Sequence, residues 1–172
     1  MSETLPPQTR IPVGVVIERR KAASPWADFI WCPVAVLPGI PETKAWTPLN
    51  GGSETTSFYA GEAQIALFNS HTQFYRDNLQ SGAPALWIAM HPTERDPPYT
   101  IAAVTADPAE GESFTETGTN LVEAVPMPDA IRETIAAFVA EHHVEQVFYK
   151  RKRDRANTEG LARRGLIDKD KR

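Results

Sequence analysis

From Val13 onward, apolar and polar residues alternate with a period of two, and that period returns after almost every turn signal in the chain. Val13, Val15 and Ile17 stand against Gly14, Val16 and Glu18. Residues 31–37 are β-rich and apolar on both faces. Residues 58–68 place Tyr59, Ala63, Ile65 and Leu67 on one face, and Leu86, Ile88 and Met90 form a fourth run. Residues 99–106 give a fifth run and 121–125 a possible sixth. Alternation over such lengths predicts half-buried strands. Short links between successive strands favour antiparallel neighbours. A convincing helical period occurs once, after Pro126-Met-Pro128-Asp129, where Ile131, Ile135, Phe138, Val139 and His142 share a face. The predicted fold is therefore α+β: five to six mainly antiparallel strands, as an open sheet or a partly closed barrel, covered by a C-terminal helix over residues 128–144.

Local signals refine this outline. Ser24 and Pro25 predict a turn or a single helical turn at the start of 24–31, since Ser can cap and Pro fits a first helical position. Pro33 assigns the second strand to an edge or to its own start. Residues 40–56 read as a long loop or hairpin excursion, and Gly61 as a bulge or a close backbone approach. Residues 71–79 predict a short helix with Phe74, Tyr75 and Leu79 turned inward. Asp107-Pro108 with Glu110 is a helix start, and a surface helix is expected from there to about Thr117, ending at Gly118.

Cys32 is the one cysteine of the 172 residues, which excludes an internal disulfide and any site built on a cysteine pair. The start, Met-Ser-Glu-Thr-Leu-Pro-Pro, lacks the basic-then-apolar order of a signal peptide, and no stretch approaches about 18 apolar residues. A soluble, cytoplasmic protein without membrane contact is expected. Its charge is uneven. Residues 150–172 hold ten Lys/Arg against four Asp/Glu, whereas 1–149 hold eight against eighteen. The expected organisation is a flexible N-terminus at 1–10, one globular α+β domain at 11–149, and a basic tail at 150–172. Such a tail is ordinarily solvated. Its candidate partner-binding residues are Lys150, Arg151, Lys152, Arg153 and Arg155, and the acidic body ranks a protein partner above nucleic acid.

Familiar catalytic patterns are missing. Gly51-Gly52-Ser53 has no lysine after it, and Gly39-Ile-Pro-Glu-Thr-Lys44 lacks the second glycine of a phosphate loop. No strand–helix alternation exists to carry a dinucleotide fingerprint. His142 and His143 are adjacent, so on a helix they diverge by about 100° and make poor joint metal ligands. With Glu141 and Glu145 they form at most a weak acid–base cluster. Cys32 reads as a buried, inert thiol. No catalytic residue, metal or cofactor is assigned. Of the four tryptophans, Trp31 and Trp87 are expected in the core, and Trp26 and Trp46 partly exposed. Arg19, Arg20, Trp26 and Trp46 are the candidate surface-binding residues, because Trp with Arg or Tyr marks interaction hot spots.

Several segments taken together carry a resemblance. They include Val13-Gly-Val-Val-Ile-Glu-Arg-Arg20, Ser24-Pro-Trp26, Val104-Thr-Ala-Asp-Pro108 and Glu123-x-Val-Pro-Met-Pro128. Phe138-Val-x-Glu-His-His-Val-Glu145, leading into Lys150-Arg-Lys-Arg-Asp154, completes the set. The chain resembles an uncharacterised bacterial family of unknown function, often encoded beside molybdenum-dependent formate dehydrogenase genes. Members sometimes carry the label molybdopterin-guanine dinucleotide biosynthesis protein A. The glycine-rich nucleotide loop that such a transferase needs is absent after the first strand, where Glu18-Arg-Arg-Lys-Ala-Ala-Ser-Pro stands. The resemblance implies an accessory role and supplies no catalytic residues. The expected function is a non-enzymatic binding protein that helps a molybdenum enzyme mature or assemble, with one of its subunits as partner. The alternatives are a small-molecule or molybdopterin-cofactor-modifying enzyme, with a site near Trp26, Trp46 and His91, and a nucleic-acid-associated protein acting through the tail.

Overall fold

The computed structural model describes residues 7–144. The tail residues Lys150, Arg151, Lys152, Arg153 and Arg155 lie outside the described residues. The strands β1 (Thr9–Ser24), β2 (Ala27–Pro38), β3 (Thr47–Gly51) and β4 (Thr55–Leu67) form one sheet in the order β2-β1-β4-β3. The strands β5 (Ala85–Pro92), β6 (Tyr99–Thr105) and β7 (Leu121–Pro126) form a second in the order β6-β5-β7. Every pairing is antiparallel. The helices are α1 (Thr72–Leu79), preceded by a 3-10 turn at Asn69–His71, α2 (Pro108–Ser113) and α3 (Asp129–His142).

The architecture is α+β as expected, but the single open or partly closed sheet is replaced by two sheets, with β6 lying beside β4 and β7 beside β2. Val13, Val15, Ile17, Ile65 and Leu67 of the first sheet share one core with Leu86, Ile88 and Met90 of the second. A period of two reports one buried face per strand. It is the same whether the neighbour lies in the same sheet or across the core.

Two local expectations are met in one of their stated forms, and a third is corrected. The segment after Ser24 takes the turn and not the helical turn: Ser24 pairs with Ala27 across two residues, and β2 runs unbroken through Pro33. Pro33 is tolerated there because β2 is an edge strand. The 40–56 excursion is the expected hairpin form, its strand β3 pairing with β4. Tyr59 does not share a face with Ile65. The pairing register slips between Val15↔Gly61 and Val16↔Tyr59, leaving Ala60 as the extra residue of a bulge beside Gly61, whose φ is +131°. One inserted residue inverts the parity of the strand, so Tyr59 turns to the face of Gly14, where a Cβ on Gly14 would come within 2.8 Å of its ring.

The helices gather where β4, β6 and β7 end. In α1 the interior is Thr72, Tyr75 and Asn78, while Phe74 is 42% exposed, contrary to the apolar stripe predicted for it. Asn78 Nδ2 donates to the carbonyls of Ala85 (2.8 Å) and Ala106 (2.9 Å), and its Oδ1 accepts from Ala85 N–H (3.0 Å). One side chain thus ties α1 to the start of β5 and the end of β6. Asp107 caps α2 as its sequence implies, accepting from Ala109 N–H (2.9 Å) and Glu110 N–H (3.4 Å). That helix stops at Ser113 and is no mere surface piece. Gly111 is buried, and a Cβ there would lie 2.2 Å from Trp87 Cγ, so its bare backbone lets α2 rest on the indole. In α3, Ile131, Ile135 and Phe138 are buried as predicted. The helix packs chiefly against α1, with the Phe138 ring edge-on to Tyr75 at 6.2 Å. It therefore reaches the shared core alongside α1 rather than lying across a sheet.

Candidate binding surface

The first sheet outruns the core at the end opposite the helices. β1 is buried from Val13 to Ile17, then Arg20, Lys21, Ala23 and Ser24 are exposed, as are residues 25–30 that return along β2. A two-stranded arm results. Its turn is Pro25-Trp26, with Ser24 Oγ accepting from Trp26 N–H (3.2 Å) and the Trp26 side chain 93% exposed at the tip. The β3–β4 turn supports it, Glu54 accepting a hydrogen bond from Lys21 N–H (2.8 Å).

The arm has two unlike faces. In register, Arg19 stands opposite Trp31 and Lys21 opposite Phe29. The Arg19 guanidinium carbon lies 4.4 Å from the centre of the Phe29 ring, 5.1 Å from Phe58 and 5.7 Å from Trp31. Trp31 in turn meets Trp46 edge-on at 6.0 Å, Phe58 at 5.8 Å and Tyr99 of the second sheet at 6.3 Å. A cation over several ring faces is held by their quadrupoles. On the other face Arg20 is paired with Glu18 and stands opposite Ile30, which is 56% exposed.

Of the four predicted surface residues, the fold brings Arg19 and Trp46 together around Trp31 and Phe58. It sends Arg20 to the opposite face and leaves Trp26 at the tip. Trp31, Trp46 and Trp87 are each half-buried, so neither Trp31 nor Trp87 is fully in the core. Phe29, Phe58 and Tyr99 were missed. The signal that could have found Phe29 is the Pro25-Trp26 turn, which sets the register that puts it beside the cations. Trp46 holds a φ of +67°, a strained conformation for a bulky residue, fixed where its N–H donates to Tyr59 O and its ring enters the cluster.

Trp46, Thr100 and the 93–97 loop line a cavity of about 490 Å³. Its charged members, Glu94, Arg95 and Asp96, are all exposed. His91 is exposed too, its Nδ1 3.1 Å from Asn120 Oδ1. Cys32 is half-buried rather than buried. Burial, and then the nearby Glu123, push its thiol pKa up, which disfavours the nucleophilic thiolate.

A second polar group lies among the helices. His71 Nδ1 is 3.0 Å from Asp107 Oδ2, close enough to pair in charge, but without the alignment of a hydrogen bond. His142 stacks on Phe138 at 4.5 Å while His143 turns to Thr72 Oγ1 (3.0 Å) and Arg76 (3.2 Å), so the two histidines diverge as their adjacency implies. Among the described residues no three His, Cys, Asp or Glu converge on a point a metal could occupy.

Tyr75, whose hydroxyl accepts from Phe68 N–H (3.0 Å), is pushed up to about 12 by burial. Its folded pKa lies above its unfolded value near 10, so the folded state holds the proton longer. The stabilisation is complete below about pH 10 and falls on the order of 2–3 kcal/mol as the pH rises to about 12. Urea melts across that range should show this decline, and Tyr75→Phe should flatten it. An equal decline in the Phe variant would assign it to other groups.

A family model matches residues 12–152, most of the chain. The chain belongs to that family, a protein of unknown function (DUF3305). The search of curated proteins and the search of solved structures each found no match. The family match spans β2–β7, all three helices and all of β1 from Pro12 onward, the arm included. No described helix of this DUF3305 protein is long and apolar enough to cross a membrane.

Proposed function

We propose that this DUF3305 protein is a non-enzymatic cytoplasmic binding protein that docks on another protein through its arm. The observation that carries the proposal is the placement of Trp26, Phe29 and Ile30, all exposed, on a ribbon that lies outside the buried core. Exposed apolar residues gathered in one place mark interaction sites, and Trp and Arg are enriched at their energetic centres. The partner is a subunit of a molybdenum enzyme such as formate dehydrogenase, and the role is to assist its maturation or assembly. The support for that half is the resemblance carried by the sequence segments. An enzyme acting on a small molecule or a molybdopterin cofactor has less support, because the 490 Å³ cavity presents exposed charges rather than buried, convergent ones.

The test compares formate dehydrogenase activity in a strain lacking the gene with activity in the same strain complemented by the intact chain. Low activity restored by the gene is the expected result. Normal activity in the deletion strain would remove the molybdenum-enzyme role.

A further inference from the structure

We infer that the outer edge of β2 over residues 27–31 accepts an extended acidic segment of the partner protein as an added strand. The inference rests on the protein-binding function proposed above and names how the partner is held. β2 ends the order of its sheet, so one side of it has no strand of that sheet to pair with. β2 lies beside β7, with Glu123 near enough to act on the Cys32 thiol, whereas residues 27–30 are exposed. An edge of this kind offers backbone N–H and C=O groups to another chain.

Most proteins guard such an edge with lysine, proline or a bulge. Between Ser24 and Cys32 the one charged residue is Asp28, and the one proline, Pro25, belongs to the turn. The edge carries Phe29 and Ile30 instead, 44% and 56% exposed, on opposite faces. An added strand would lay alternate side chains against each of them, the alternation by which strand addition gains specificity.

Charge selects the occupant. Residues 7–144 contain eight Lys/Arg and sixteen Asp/Glu, yet three of the eight are consecutive at Arg19, Arg20 and Lys21. Arg19 and Lys21 share the face of Phe29 and Trp31, while the arm's acids, Glu18 and Asp28, fall on the other face. An added strand would lie about 10 Å from β1, two strand spacings, which extended Arg and Lys side chains span. Carboxylates at alternate positions of the incoming segment would meet Arg19 and Lys21 there. A second copy of this chain would instead bring the same cations face to face across paired β2 edges. Nucleic acid would meet the acidic body.

The test uses the intact, isotope-labelled chain and three ten-residue capped peptides that alternate valine with glutamate, glutamine or lysine. Amide resonances are followed by NMR. The expected result is that the glutamate peptide shifts and protects amides of residues 27–31, and that Lys21→Glu weakens this about tenfold while leaving the melting temperature unchanged. Lys21 is exposed, so its replacement leaves the core intact. Shifts confined to residues 150–155, equal binding of the lysine peptide, or no effect of Lys21→Glu would each overturn the inference. Capture of a partner from cells by the intact chain, unchanged by Lys21→Glu, would also overturn it while leaving the protein-binding function standing.

Discussion

Replacing Asn78 by alanine is expected to lower the free energy of unfolding by about 3–5 kcal/mol. Its amide makes three hydrogen bonds, with the N–H and C=O of Ala85 and the C=O of Ala106, in a site where the side chain is 4% exposed. Alanine removes those bonds and strands three backbone groups that water reaches poorly. A lost hydrogen bond costs about 1 kcal/mol, and a buried group left without a partner costs more. Asn78→Asp keeps the acceptor for Ala85 N–H but sets a carboxylate against two carbonyl oxygens, so it should be no better tolerated. Urea denaturation followed by circular dichroism reads the loss directly. A change below about 1 kcal/mol would mean that α1 is not anchored to β5 and β6 through this residue.

Phe138→Ala should cost a similar amount, about 3–5 kcal/mol, for a different reason. The ring is 5% exposed and touches Tyr75 at 6.2 Å and His142 at 4.5 Å between ring centres, filling the space between α3 and α1. Alanine leaves a cavity that two short elements cannot fully collapse. Glu141→Ala, on the exposed side of the same helix, should change stability by less than about 0.5 kcal/mol. An unchanged melting temperature for the Phe138 variant would place α3 outside the cooperative core.

The contrast between these two residues shows what the sequence discloses. Phe138 belongs to a stripe of apolar residues with helical spacing, so its burial is legible from the pattern. Asn78 is invisible to the same method. Hydrophobic spacing on α1 points to Phe74, Tyr75 and Leu79, but backbone ends arriving from β5 and β6 need hydrogen-bond partners, and Asn78 turns inward to supply them while Phe74 faces outward. Tyr59 differs: Gly61 marks the bulge, but the face of Tyr59 is read straight through it, and a single bulge residue inverts parity. The candidate surface is half legible. Arg19 and Trp46 are unusual enough to single out on residue type. Their meeting around Trp31 and Phe58 depends on a hairpin register and on a loop returning over the sheet, neither of which is local. Arg20 shares the residue type of Arg19, but neighbours on a strand point to opposite faces.

On the proposed function, the arm is the protein-docking surface. This is tested most directly by co-purification from native cells, using the intact chain and a chain carrying Trp26→Ser and Phe29→Ser together. Both residues are exposed at or near the tip, so both chains should fold alike. The intact chain should enrich a molybdenum-enzyme subunit, and the double variant should lose it by about tenfold or more. Equal recovery of that subunit by the two chains would contradict it.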